Sequence, residues 1–338
     1  MDLLLSIPSP SINGFQLGPV KIHFYALCIL AGIVLAYWLT SRRWQARGGR
    51  PQTVETIVMW AVPLGIIGSR VYHVVTHWGD YFGEGARGNP WAIWEGGLAI
   101  FGAIIFGALG AAIAARITGA KLSAFADALA PGLILAQAIG RLGNWFNQEL
   151  FGGPDDGPLG LEIEPQYRPA DMKDVETFQP TFLYELSWNL AGGLLLLWLD
   201  RKFALGKGKL FTLYLVIYGT GRFVIEGIRT DPSYMWGPLR TNQVTALVIA
   251  VIGLVLFLLF LKFRPGREEV VEIGATETTT DGADPDSEDD PAVETADDSA
   301  AESEPAEEAE TEGEQADATD TDAEGDATEP RPEEPAKD

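Results

Sequence analysis

Seven stretches of about 20 mostly apolar residues, separated by short polar segments, dominate the first 264 positions. They run from Ile22 to Thr40, Val54 to Val75, Trp91 to Ala115, Leu122 to Phe146, Thr181 to Leu199, Leu210 to Glu226 and Val244 to Phe263. A stretch of that length and polarity matches the thickness of a bilayer's hydrocarbon core when coiled as an α-helix. The expected fold class is therefore an all-α integral membrane protein, a bundle of about seven transmembrane helices. The third stretch carries Gly102, Gly107 and Gly110 among alanines. Small residues let helices approach closely in lipid, which places this span inside the bundle.

The loops assign an orientation. Arg42, Arg43, Arg47 and Arg50 follow the first span, Arg116 and Lys121 the third, Arg201, Lys202, Lys207 and Lys209 the fifth, and Lys262, Arg264 and Arg267 the last. Lysine and arginine concentrate on the cytoplasmic side of membrane proteins. These segments alternate, so the reading is a multi-pass plasma-membrane protein with its N-terminus outside and its C-terminus cytoplasmic. The start of the chain lacks the basic n-region of a cleavable signal peptide, and the apolar run Leu3–Leu5 is expected to dip into the interface.

A formal net charge of −23 conceals two regions. Residues 265–338 hold 29 acidic and 3 basic side chains, whereas residues 1–264 hold 18 and 21. The acidic stretch has too little apolar surface to offset the entropy of ordering. The expected domains are thus a membrane domain over 1–264 and a disordered acidic cytoplasmic tail over 265–338. Neither region suits nucleic acid. The single cysteine, Cys28, sits in an apolar run and excludes an intrachain disulfide or a cysteine-based metal site.

Charges inside spans are costly and persist mainly where paired or useful. Here they collect at the outer ends. The fourth span ends in Gly140-Arg141-Leu142-Gly143-Asn144, followed by Gln148, Glu149 and Gly152. Arg141, Asn144 and Gln148 share a helical face if the helix continues. The sixth span ends with Arg222, Glu226 and Arg229 at i, i+4 and i+7, and the second with Arg70. All three histidines, His23, His73 and His77, lie on this side. Ion pairs such as Arg222–Glu226 account for part of the pattern. Three arginines from three spans, with two or three carboxylates nearby, leave an expected excess of positive charge. That calls for an anion, and in an outer leaflet the abundant anion is a lipid phosphate, which suits the planar guanidinium.

At these residues the sequence resembles the bacterial prolipoprotein diacylglyceryl transferase family. The stretch Gly140–Gly152 is similar to its signature, Gly-Arg-x-Gly-Asn, two residues, Asn-x-Glu-x-x-Gly. Arg222-x-x-x-Glu226-x-x-Arg229 also resembles the family, as do Ile7-Pro8-Ser9-Pro10, Leu17-Gly18-Pro19, Tyr25-Ala26-Leu27, Gly68-Ser69-Arg70, Trp94–Leu98, Gln179-Pro180 and Leu183-Tyr184-Glu185. The likeness runs in order from about Ile7 to Phe263. It implies transfer of the diacylglyceryl group of phosphatidylglycerol to the lipobox cysteine of a prolipoprotein, forming a thioether and releasing glycerol phosphate, with no cofactor or metal. By the same resemblance Arg141 and Arg222 clamp the phosphate, while Asn144 and Tyr25 orient headgroup or glyceryl oxygens. Either Glu149 or Glu226 takes the thiol proton, and the other holds an arginine. Arg70, Arg229 and Gly152 are further headgroup-contact candidates.

One position departs from the pattern. Many family members carry a histidine where this chain has Phe101. His23, His73 or His77 could substitute, or no histidine is needed. The rival reading is a membrane anion transporter whose outer arginines line a vestibule. It predicts polar residues continuing along the inner halves of the spans, where the fourth and sixth offer little beyond Asp127 and Gln137.

Overall fold

The computed structural model describes residues 6–83, 85–86 and 88–273. Eight α-helices are described: α1 (Phe24–Gln45), α2 (Pro51–Thr76), the single turn α3 (Trp78–Tyr81), α4 (Ile100–Thr118), α5 (Leu122–Asn147), α6 (Thr181–Phe203), α7 (Lys209–Glu226) and α8 (Thr241–Phe263). Six of them, α1, α2, α4, α5, α6 and α8, are long and apolar enough to cross a membrane. The remaining long helix, α7, has 18 residues and carries Lys209, Arg222 and Glu226. The protein is a multi-pass membrane protein. Exposed apolar side chains such as Leu30, Ile104, Leu194 and Val255 cover the outside of its helices, as a lipid solvent allows.

Helix α5 sits at the centre, packed against α1, α4, α6 and α7, while α2 pairs with α4 and α7 with α8. Small residues set these approaches. A Cβ at Gly102 would lie 2.2 Å from the carbonyl oxygen of Gly68, and one at Gly110 2.6 Å from that of Trp60, so α4 presses its backbone onto α2. Gly32 and Gly132 do the same between α1 and α5. Gly102 and Gly110 pack as expected, but α4 does not lie inside the bundle: it packs chiefly on α2 and leaves Ile104, Ile105 and Leu109 exposed.

Pro131 interrupts α5 and removes the N–H that would bond the Asp127 carbonyl. Arg43 of α1 supplies the missing donor: its Nη2 donates to Asp127 O at 3.1 Å and its Nε to Ala128 O at 3.0 Å.

Two boundaries differ from those expected. The third helix begins at Ile100 rather than Trp91. Residues Ile93–Glu95 form a 3-10 turn, and Gly96 and Gly97 adopt φ of +90° and +68°. An apolar run with two such glycines reads as a helix by hydropathy alone, but left-handed backbone ends helices. At the other end of the chain, residues 265–273, assigned to the tail, pack against the bundle. Glu272 is fully buried and accepts from the Arg50 backbone N–H at 2.9 Å and Thr53 Oγ1 at 2.7 Å, at the N-terminus of α2. Lys121 N donates to Val271 O at 2.8 Å. Residues 274–338, where the rest of the acidic tail falls, and Leu3–Leu5 lie outside the described residues.

Three two-stranded antiparallel ribbons decorate the end where α5 and α7 finish: β1 (Gly14–Leu17) with β2 (Val20–His23), β3 (Leu161–Glu162) with β4 (Thr177–Phe178), and β5 (Met235–Trp236) with β6 (Leu239–Arg240). The segment from 152 to 180 is a packed cap. Phe151, Leu161, Ile163, Phe178 and Phe182 form its core, with Ile7 and Trp145 against it. The N-terminal lead crosses it, held by Trp145 Nε1 donating to Pro8 O and Gln148 Nε2 to Pro10 O.

Candidate functional site

The helix α5 stops at Asn147. Gln148 turns at φ +51° and Leu150 at φ +62°, so the chain doubles back. Gln148 therefore does not share a face with Arg141 and Asn144; its side chain bonds Pro10 O and the Glu164 N–H instead. The reversal has a consequence for Glu149. Its N–H donates to Asn144 O at 3.1 Å, and its Oε1 accepts from Asn144 Nδ2 at 2.8 Å and Asn147 Nδ2 at 3.3 Å. Asn144 in turn presents Oδ1 to Arg141 Nη1 at 3.1 Å. Carboxylate, amide and guanidinium thus form a chain running into the bundle.

The chain continues across helices. Glu185, in the second turn of α6, forms an ion pair with Arg141 (Nη2 to Oε1, 3.3 Å) and accepts a hydrogen bond from Arg222 Nη1 on Oε2 at 3.3 Å. Arg222 Nη2 reaches Glu226 Oε2 at 2.7 Å. Glu226, fully buried, also holds Arg229 Nη1 at 3.2 Å, Arg240 Nε at 3.0 Å and Asn242 Nδ2 at 3.0 Å. Asp231 closes the far side, 2.7 Å from Arg229 and 3.1 Å from Arg240. A carboxylate in so dry a place is tolerated because several charge-assisted donors replace its water.

The expected excess of positive charge is not present. Arg141, Arg222, Arg229 and Arg240 are matched by Glu149, Glu185, Glu226 and Asp231. Two of these acids are hidden from a count along the spans that carry the arginines, because Glu185 lies one span away and Asp231 in a loop. Glu185, Asp231, Arg240 and Asn242 were not among the candidates. A signal for Glu185 was its position as the lone acid in the outer half of an apolar span.

Arg141 and Arg222 remain the accessible members. Their side chains keep 22% and 16% of their exposure, against 5% for Arg229. Buried Arg141 Nε has no partner among the described residues, and a Cβ at Gly140 would meet only open space. A cavity of about 800 Å³, reached by the network through Glu149 rather than through the arginines, is lined by Glu149, Asn147, His23, Thr230 and Asp231 among others.

Tyr25 lies flat against Gly143, where a Cβ would stand 2.4 Å from its ring. It thus packs one residue away from Asn144. Gly152 is a crossing point: it pairs with Arg229 as a β-bridge, its N–H bonds Gln179 O at 3.0 Å, and a Cβ would strike Gln179 and Ile228 O. The need for glycine there is steric.

Arg70 is placed apart from this network. Its guanidinium donates to the carbonyls of Asn89, Pro90, Gly96 and Gly97 and stacks on Tyr81, pinning the segment before α4. Gly97 is required here by its left-handed φ of +68°, and a Cβ would also crowd Arg70 Nη1 at 2.6 Å. His73 and His77 stack on each other at 4.4 Å, and Phe101 lies beside Tyr72. Of the histidines, His23 shares the Glu149 cavity. No cluster of metal-ligating side chains occurs among the described residues.

Fold and site together define a multi-pass membrane protein with a desolvated arginine–carboxylate network at one end of its helices, opening through two arginines. The profile of the prolipoprotein diacylglyceryl transferase family matches residues 13–259, and the chain belongs to that family. Three relatives, each named phosphatidylglycerol–prolipoprotein diacylglyceryl transferase, illustrate the likeness. The protein of Cutibacterium acnes is 53% identical over 264 residues, covering 78% of this chain and 89% of its own. That of Streptomyces coelicolor, the first of two, is 50% identical over 273 residues, covering 80% and 79%. That of Paenarthrobacter aurescens is 47% identical over 300 residues, covering 84% and 93%.

Proposed function

We propose that the protein transfers the sn-1,2-diacylglyceryl group of phosphatidylglycerol to the thiol of a prolipoprotein's lipobox cysteine. A sulfur–carbon bond forms at the glyceryl carbon, the carbon–oxygen bond to phosphate breaks, and glycerol phosphate leaves with the electron pair. Family membership across most of the chain favours this over an anion transporter.

The observation that carries the mechanism is the pair Arg141 and Arg222, brought from different helices onto one carboxylate, Glu185. Negative charge develops on the departing phosphate oxygen, and donors aimed at developing charge in a dry site lower the barrier most. Both guanidiniums are held in advance, Arg141 by Asn144 and Glu185, Arg222 by Glu185 and Glu226, so little reorganisation is needed at reaction. Tyr25 and Asn144 orient the glyceryl and headgroup oxygens.

The two candidate bases separate by environment. Glu226 is enclosed by three arginines and Asn242 and serves to hold them. Glu149 borders the cavity and is fixed through Oε1 by two asparagine amides. That position supports Glu149 as the group that accepts the thiol proton, directly or through water; His23, on the same cavity, is the alternative proton acceptor. Arg229 and Gly152 shape the site from behind. The lysine and arginine bias of the loops favours a reading in which this end of the bundle faces the outer leaflet of the plasma membrane, α7 is the seventh span and the acidic segment is cytoplasmic.

The test is thioether formation on a lipobox peptide in phosphatidylglycerol vesicles, comparing the unaltered protein with Arg141→Ala and Glu149→Ala. Transfer by the former and loss in both folded variants is the expected result. Transfer that survives both substitutions overturns the site. A folded protein that gives no transfer overturns the function.

A further inference from the structure

At the end of the bundle opposite this site, α1 and α6 finish side by side and the segment after α8 folds back on them. Five arginines meet there around one carboxylate. Asp200 accepts Arg43 at 3.0 Å, Arg47 at 3.3 Å and Arg267. Arg42 and Arg201 border the same cavity, whose volume is about 350 Å³. Neither forms an ion pair among the described residues; Arg42 lies over the Trp38 ring at 5.0 Å. The neighbouring acids do not restore balance. Asp127 and Glu268 are within electrostatic reach of Arg47, but each is engaged by backbone N–H groups, Asp127 by Gly208 and Phe211 and Glu268 by Lys207. Counting all three acids against five arginines leaves the cluster at +2. The deficit shows at Arg47: its side chain is 3% exposed, and buried Nη1 has no partner among the described residues.

The cavity also has an apolar wall. Leu39 and Leu197 line it with Trp38, which is half exposed on the outer face of α1. Cationic donors beside an apolar, lipid-facing wall match an amphiphile with a phosphate head. Free phosphate shares the head chemistry but has no use for the wall. Basic pockets between transmembrane helices on the cytoplasmic side are recurrent sites for anionic headgroups, and guanidinium is the donor best suited to phosphate.

We propose that this cavity binds the phosphate headgroup of an anionic phospholipid of the leaflet facing it, at a site separate from the Arg141–Arg222 network. Bound there, the lipid supplies the negative charge that Asp200 alone does not and joins α1, α6 and the segment carrying Arg267.

The test uses the full-length protein, delipidated in detergent, with bound lipid counted by native mass spectrometry against added phosphatidic acid or phosphatidylcholine. Phosphatidic acid is expected to give an adduct that survives in Arg141→Gln, and phosphatidylcholine to give none. In the double variant Arg42→Gln/Arg201→Gln that adduct falls roughly thirtyfold, at about fivefold for each arginine near an anionic headgroup. Arg42→Lys/Arg201→Lys retains most of it, and thioether formation by both doubles shows that they are folded. An adduct unchanged in the glutamine double, or lost equally in the lysine double, overturns the site. Displacement of the lipid by inorganic phosphate at equal concentration overturns the lipid in favour of the free ion.

Discussion

Glu185 takes Arg141 on one carboxylate oxygen and Arg222 on the other, each at 3.3 Å, so two arginines that lie 81 positions apart in the chain are set by a single side chain from a third helix. Substitution to glutamine keeps the shape, removes the charge and turns one acceptor into a donor facing a guanidinium. A hydrogen bond to a charged group contributes about 1.5–3 kcal/mol. Glu185→Gln is therefore expected to lower kcat about tenfold to a hundredfold, with KM for the peptide little changed. Thioether formation in vesicles measures both.

Lysine at either arginine keeps the charge and loses the fork. Arg141 uses separate Nη atoms for Asn144 and Glu185, and Arg222 does so for Glu185 and Glu226. A point charge cannot span two partners and still aim at a phosphate. Arg141→Lys and Arg222→Lys are each expected to cost about 10²–10³ in kcat, the range for removing a preorganised donor at developing charge. Single-turnover transfer with melting curves alongside separates chemistry from folding.

Glu226 has a structural signature in place of an exposed catalytic one. Its loss strands Arg222, Arg229, Arg240 and Asn242 without their shared acceptor. Breaking a buried pair by removing one partner costs about 3–5 kcal/mol. Glu226→Ala is expected to lower Tm clearly in a detergent melt, whereas Glu149→Ala, at the edge of the cavity, is expected to abolish transfer with Tm nearly unchanged.

The contact of α4 with α2 leaves no room for a side chain at Gly102, where a Cβ would stand 2.2 Å from Gly68 O and 2.6 Å from Tyr72 Cβ. Backbone on one side cannot yield as a flexible side chain could. Gly102→Leu is expected to destabilise by about 1–3 kcal/mol, the usual cost of overpacking. Gly140→Ala, with open space beside it, is expected to leave the melting temperature within error. The pair measured together distinguishes a glycine pressed onto backbone from one with open space beside it.

Helices and signature were legible for local reasons. Span length follows from bilayer thickness, and Arg222 and Glu226 meet because four residues make about one turn. The same local logic failed where backbone left the helix. Nothing in the hydropathy of 91–99 marks the left-handed Gly96 and Gly97, so hydropathy alone starts the third helix nine residues too early. The left-handed turn at Gln148 was equally hidden, and it carries Glu149 back to Asn144.

The sequence by itself determined that this chain occupies a membrane and which family it joins. Those properties depend on transfer of apolar segments and on residues close in the chain. Only the tertiary structure decided how the charges balance. Glu185, Asp231, Arg240 and Asn242 come from separate segments, and their pairing with Arg141, Arg222, Arg229 and Glu226 depends on how helices pack. Electrostatic energy in a dry interior varies steeply over a few ångströms, so an inventory of charges along the chain does not reveal which are neutralised. Packing also withdrew Arg70 from the network and gave its donors to four backbone carbonyls.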